Sequence, residues 1–213
     1  MKYAAVIFDL DGTLMNTLGG ISDALNYAAA KQSISPFTDD KVKSMIGNGI
    51  RKLIDRAFDS LDEKGKERAY ADFTARYKVK AKELSRPYDG ANDFLIALRS
   101  DGIKVAIASN KDDYAVKALA AEYFCDCVDF SVGATGNNPL KPHPYMIDFV
   151  SEKLSVPKSQ LAYVGDSEVD LLTAANSGVD GYIVDWGYAL NKNFDTVRSF
   201  DDLYKQDKKL LYA

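Results

Sequence analysis

The sequence predicts an α/β protein: a doubly wound parallel sheet with an inserted all-helical segment. Three observations predict it. Short, almost uncharged apolar runs recur at Tyr3 to Phe8, Ile103 to Ala108, Leu161 to Val164 and Gly181 to Val184, as expected for strands covered on both faces. Helical patterns alternate with them from Pro87 onward, the rhythm of a parallel sheet with crossovers. After the first run, however, the pattern stays helical for roughly seventy residues, far longer than one crossover needs. The chain therefore divides into a core of residues 1–14 and 87–213 and an inserted helical domain of residues 15–86.

In the insertion, Leu18, Ile21, Leu25 and Ala28 recur at helical spacing, giving a first amphipathic helix. Ser33 to Phe37 breaks it. Thr38 followed by Asp39 and Asp40 is a helix start with acids in its first turn, with Val42, Met45 and Ile46 as the apolar stripe. Gly47-Asn48-Gly49 ends that helix; Ile50 to Phe58 carries another, and Tyr70, Phe73, Tyr77, Ala81 and Leu84 mark a longer one. In the core, Phe94, Leu95 and Leu98 line a helix that stops at Asp101-Gly102. Ser109 and Asn110 follow the second strand and suit the N-cap of a helix around Ala115 to Ala120. A short strand near Val128 to Ser131, a helix through Ile147, Val150 and Leu154, and a weak helix near Asp201 to Tyr204 complete the core.

With 213 residues, 46% of them hydrophobic, the chain can bury a sizeable core. Its net charge of −4, without basic runs, argues against a nucleic-acid partner. The absence of a long apolar stretch or cleavage-site pattern argues against a membrane span or export signal, so the cytoplasm is the expected compartment. Cys125 and Cys127 lie too close together for an ordinary bridge and are too few for a zinc site, so they are read as reduced and structural. His143, held between Pro142 and Pro144, is read as a loop or capping residue and not as a catalytic base.

Chemistry gathers where strands end. Asp9 and Asp11 follow the first strand, Asp166 follows the Leu161 strand with Asp170 one helical turn on, and Lys141 precedes a proline. In open α/β sheets the carboxyl ends of the strands are where ligands bind. Four carboxylates cannot converge there without a cation, and hard oxygens with neither histidine nor cysteine beside them select magnesium over zinc. A hydroxyl such as that of Ser109 near a helix start, and a fixed ammonium such as Lys141, suit a phosphate. The Gly47-Asn48-Gly49 turn, with Arg51 and Lys52 beyond it, is a candidate for the surface facing that end of the sheet, with Asn48 and Arg51 as possible substrate contacts.

Asp9-x-Asp11-Gly12-Thr13, Ser109-Asn110, Lys141-Pro142 and Gly165-Asp166-x-x-x-Asp170 together resemble, in order, the four motifs of the haloacid dehalogenase (HAD) superfamily. The resemblance spans nearly the whole chain and implies a HAD-like Rossmannoid core whose helical insertion is a mobile cap. It implies Asp9 as nucleophile and metal ligand, Asp11 as general acid and base that also gives its backbone carbonyl to the metal, and Asp166 as a further ligand. Asp170 would hold a metal-bound water or orient Lys141, while Thr13, Ser109, Asn110 and Lys141 would bind the phosphoryl group. The implied reaction is magnesium-dependent hydrolysis of a small phosphorylated metabolite through an aspartyl-phosphate. Met45 to Gly49, Ser109-Asn110-Lys111 and Gly165-Asp166-Ser167 look most like the phosphoglycolate phosphatase group, whereas Asn16-Thr17 departs from the Asp-Ser common there. A sugar-phosphate mutase, or an idle binding module on the same scaffold, are the alternatives.

Overall fold

A computed structural model describes residues 2–124, 126–188, 196–200 and 203. Its centre is a six-stranded sheet of β1 (Ala5–Phe8), β4 (Lys104–Asp112), β5 (Phe130–Ala134), β6 (Leu161–Gly165), β7 (Asp180–Val184) and β8 (Thr196–Val197), ordered β5-β4-β1-β6-β7-β8 and parallel throughout. β1 is fully buried and central, with Val6 opposite both Val105 and Ala162.

Alternation along β1 shows why its residues are apolar at every position. Val6 and Phe8 point into a cluster with Phe94, Leu95 and Leu98 of α5 (Ala91–Ser100) and Val116 and Leu119 of α6 (Asp113–Tyr123). Ala5 and Ile7 point the other way, onto Met146, Ile147 and Val150 of α7 (Tyr145–Leu154). Beside α7, α8 (Glu168–Ser177) packs on β6 and β7. Helices on both faces make this the doubly wound sheet expected from the sequence.

The four helices between β1 and β4 are α1 (Leu18–Lys31), α2 (Asp39–Lys43), α3 (Gly49–Ala57) and α4 (Glu63–Lys80). They share an apolar cluster in which Ala24, Leu25 and Ala28 of α1 meet Phe73 and Tyr77 of α4. The small alanines let the two long helices approach closely, and Arg76 clamps the pair with two hydrogen bonds to Asp23 (2.7 and 3.0 Å). Thr38 caps α2 as its sequence suggests, accepting from Lys41 N–H.

Several boundaries differ from expectation. Met15–Asn16 (β2) and Arg86–Pro87 (β3) pair antiparallel where the chain leaves and re-enters the core; two-residue strands carry no periodic signal. The second core strand runs on through Ser109 and Asn110, so these residues do not cap α6. Asp112 does, accepting from Tyr114 N–H at 3.1 Å. The strand continues because β5 extends its pairing to Asp112 across a register shift. Of the C-terminal helix expected near Asp201 to Tyr204, Leu203 is helical and buried; Asp201, Asp202 and Tyr204 lie outside the described residues. So does Cys125, whereas Cys127 is buried.

Candidate active site

The carboxyl ends of β1, β4 and β6 open side by side, and the last residues of β4 meet those just past β1 and β6 in one cavity of about 740 Å³. The helices α1 to α4 close it from above. Its floor is formed by Asp9, Asp11, Ser109, Lys111, Lys141 and Asp166.

Asp9 continues β1, its N–H donating to Val164 O at 2.8 Å, which fixes its carboxylate over the sheet edge. Lys141 Nζ stands 2.9 Å from Asp9 Oδ1 and 2.7 Å from Asp170 Oδ1. It also donates to the Tyr163 hydroxyl at 2.7 Å, and that hydroxyl donates to Asp170 Oδ1 at 2.9 Å. Asp170 Oδ2 accepts from the N–H groups of Asp166 and Ser167 and from Ser167 Oγ (2.6 Å), closing a capping box at the start of α8. Both Asp170 oxygens are therefore occupied, and its contacts hold the Lys141 ammonium in place. Burial opposes charge on Lys141, but Asp170 and Asp9 outweigh it and hold the ammonium above its ordinary pKa. Burial likewise opposes charge on Asp170, yet Lys141 and the hydrogen bonds hold it below the usual carboxylate range.

Asp9 and Asp166 are in the opposite condition. Burial pushes Asp9 up to about 6, with Lys141 pulling down and Asp170 and Asp11 pushing up. Burial, then Asp170 and Asp9, lift Asp166 well above the usual range. Asp9 Oδ1 has the ion pair with Lys141 but no aligned hydrogen bond. These two buried carboxylates carry more negative charge than their surroundings neutralise, the condition a bound cation relieves. Among the described residues, oxygens of Asp9, Asp166 and Asp170 lie within 4.8 Å of one another. With Asp170 already occupied, Asp9 and Asp166 are the two that could hold a metal ion. The Asp166 side chain is cradled by two glycines: a Cβ on Gly12 would fall 2.4 Å from its Oδ2, and one on Gly187 2.2 Å from its Cβ. Gly12 also turns with φ +89°, a region that disfavours side chains.

Asp11 is held apart from this network. Lys111 Nζ bonds both its oxygens (2.8 and 2.9 Å) and Thr17 Oγ1 donates to one of them at 2.7 Å. Burial lowers the Lys111 pKa, but the charge of Asp11 more than offsets it and the ammonium is stabilised. The Tyr77 ring lies over Lys111, 4.8 Å to its centroid. Tyr188 accepts from Thr17 N–H through its hydroxyl (2.6 Å) and donates its own N–H to Asp166 Oδ2 (2.6 Å). The unusual Asn16-Thr17 pair thus has a defined place: Thr17 on Asp11, and Asn16 Oδ1 accepting from Leu18 N–H and the Tyr188 hydroxyl.

Other expected contacts are placed differently. Asn110 Oδ1 accepts from Lys141 N–H (2.7 Å), while its Nδ2 donates to Lys141 O and Gly47 O. Its side chain braces the Lys141 loop and the tip of the helical segment. Thr13 is turned into the protein by the tight turn at Leu10 and does not line the cavity. Asn48 accepts from Arg56, and Arg51 is paired with Glu67 and stacked on Tyr70 with its side chain 59% exposed; neither lines the cavity. The turn itself does meet the sheet end, through Gly47 and Gly49. His143 Nδ1 accepts from Tyr145 N–H at the start of α7. Lys111, Tyr163, Tyr77 and Tyr188 join the expected residues at the site. Of these four, only Lys111 carries a sequence signal, as the last residue of Ser109-Asn110-Lys111.

A family model for haloacid dehalogenase-like hydrolases matches residues 6–184. This chain belongs to that family. Among haloacid dehalogenase-like hydrolases it is similar to a phosphoglycolate phosphatase of Rhodospirillum rubrum, 34% identical over 87% of this chain and 80% of the relative. A phosphoglycolate phosphatase of Xanthomonas campestris is 26% identical over 97% and 94%. The fold matches that of a predicted phosphoglycolate phosphatase from Haemophilus somnus with a TM-score of 0.90 and 26% identity, covering 97% of this chain and 99% of that one. The haloacid dehalogenase-like hydrolase described here is accordingly a phosphoric monoester hydrolase. No helix among the described residues is long and apolar enough to cross a membrane.

Proposed function

We propose that the protein hydrolyses a small phosphate monoester with Asp9 as nucleophile, in a magnesium-dependent reaction. The observation that carries this reading is Asp9 itself, buried at the cavity floor with an oxygen lacking an aligned hydrogen bond and an ammonium 2.9 Å away. Asp9, Asp166 and the Asp11 carbonyl would hold magnesium, which supplies charge neutralisation for the incoming phosphate. Lys141, fixed by Asp170 and Tyr163, neutralises a second part of that charge. Asp9 can then approach phosphorus and form an aspartyl-phosphate, dividing one hard displacement into two.

Asp11 protonates the departing alkoxide and then takes a proton from the water that hydrolyses the intermediate. Lys111 and Thr17 position it for both. Ser109 is the hydroxyl left facing the phosphoryl group, and Asn110 acts through Lys141. The antiparallel pair β2 and β3 supports residues 15–86 as a unit hinged at its two ends, serving as a cap over the site. The relatives make 2-phosphoglycolate the first candidate substrate, with nucleotides and sugar phosphates beside it.

The test is phosphate release from a panel of such monoesters with magnesium and with chelator. Magnesium-dependent release is expected. Silence across the panel from folded, metal-loaded protein would reject the phosphatase reading.

A further inference from the structure

The cavity is far larger than a two-carbon ester requires. Its volume of about 740 Å³ lies in the range of pockets that enclose drug-sized ligands. Its floor is polar, and its roof carries a broad apolar patch. Above the carboxylates the helical segment presents Ile21, Ile46, Ile50, Leu53, Tyr70 and Phe73. Helices α1, α3 and α4 and the turn after α2 thus place apolar or aromatic side chains toward the space where the leaving group of an ester must lie.

The cations that line the cavity are poorly placed for a second anionic group. Lys111 and Lys141 belong to the floor, where they pair with Asp11 and with Asp9 and Asp170. Lys43 faces Asp40 at 3.7 Å, and Lys78 is on an exposed position of α4. A carboxylate on the leaving group would lose its hydration under an apolar roof and find no inner partner there. Polar side chains do interrupt the roof: Lys43, Ser44 and Lys78, the Tyr77 hydroxyl beside Lys111, and Thr74. Thr74 lines the cavity from the interior of α4, and its Oγ1 is buried without a hydrogen-bond partner. A helical threonine ordinarily bonds the carbonyl one turn back, so this hydroxyl remains available to a ligand.

We infer that the preferred substrates are phosphate monoesters of a neutral, ring-bearing apolar alcohol with a single hydrogen-bonding group on the far side of the ring, in preference to small carboxylated esters. This rests on the phosphatase reading above and names the substrate class of the same site.

The experiment compares kcat/KM for benzyl phosphate and 4-hydroxybenzyl phosphate with that for 2-phosphoglycolate, all in magnesium. Benzyl phosphate is expected to lead 2-phosphoglycolate by tenfold or more, chiefly through KM, and the added hydroxyl to widen the lead. Equal values, or a lead for 2-phosphoglycolate, would overturn the inference while leaving the phosphatase reading intact. Ile50→Lys, at a half-buried position, should narrow the ratio at least tenfold. Thr74→Val should erase the advantage of the hydroxylated ester alone, and an unchanged preference in both variants would also overturn the inference. Calorimetry on Asp9→Asn with the same esters separates the two readings. Tighter binding of benzyl phosphate there, with no hydrolysis of any ester by the unaltered enzyme, would reject the phosphatase reading and keep the pocket assignment.

Discussion

Asp9 and Asp11 lie two residues apart yet have opposite surroundings. Asp11 is enclosed by Lys111 and Thr17, whereas Asp9 is left with surplus negative charge beside Asp166. In the proposed mechanism that difference separates the proton-handling group from the attacking one. The pKa of Asp9 is raised to about 6, so in the metal-free protein it takes up a proton as pH falls through that value, and a cation must then displace the proton. Magnesium affinity measured by calorimetry should therefore fall on going from pH 7.5 to pH 5, with proton release growing at the lower pH. For folding the sign is reversed. A carboxyl with a raised folded-state pKa contributes stability that is present below its unfolded value of 3.8 and lost as pH rises through about 6. Denaturant titrations with chelator should thus show Asp9→Asn gaining on the unaltered chain as pH rises from 4 to 7. Removing the Lys111 ammonium in Lys111→Met leaves Asp11 a partly buried charge with one hydroxyl for support. A loss of kcat of about 10²-fold or more is expected, of the size that general acid-base groups supply, with a changed pH profile; an unchanged profile would assign Lys111 to packing.

At the scale of elements, β6 and α8 act as one device. Gly165 ends β6 directly against Asp170, where an added Cβ would fall 2.2 Å from the Asp170 Cβ. Gly165→Ala should cost about 1–3 kcal/mol of stability through overpacking and lower activity further by displacing the partner of Lys141. Thermal melting and phosphate release together check this. Tyr163→Phe removes the hydroxyl between Lys141 and Asp170 and should cost about 1–3 kcal/mol. The strands bearing these residues were legible as apolar runs, and the carboxylates at their tips as motifs. Tyr163 was not, because a tyrosine inside a buried strand reads as packing until its hydroxyl is seen to meet Lys141. The extension of β4 past Ser109 was hidden for a related reason: hydroxyl and amide residues after a strand signal a cap, and only pairing with β5 shows that the strand continues. Tyr188 reaches Asp166 and Thr17 across 22 and 171 residues, separations to which local patterning is blind.

Across the whole molecule, the helical segment and the sheet meet at the substrate cavity and at Asn110, whose amide links Gly47 of the segment to both backbone groups of Lys141. Asn110→Ala should speed amide exchange at Lys141, whose N–H loses its acceptor, and should raise KM as the segment loosens. Unaltered exchange at Lys141 would remove Asn110 from this bracing role. The doubly wound core was legible because burial on both faces leaves no polar position in β1. The insertion's contacts were not, since charge and turn position point to Asn48 and Arg51, whereas the side chains that line the roof are largely apolar ones from helix interiors. The measurement closest to the central claim is mass spectrometry of protein quenched in acid during turnover with magnesium and a hydrolysable ester. The expected result is a phosphoryl group on the peptide containing Asp9, and neither phosphoryl group nor turnover in Asp9→Asn. Turnover near the unaltered rate in that variant, or a phosphoryl group carried on another residue, would contradict it.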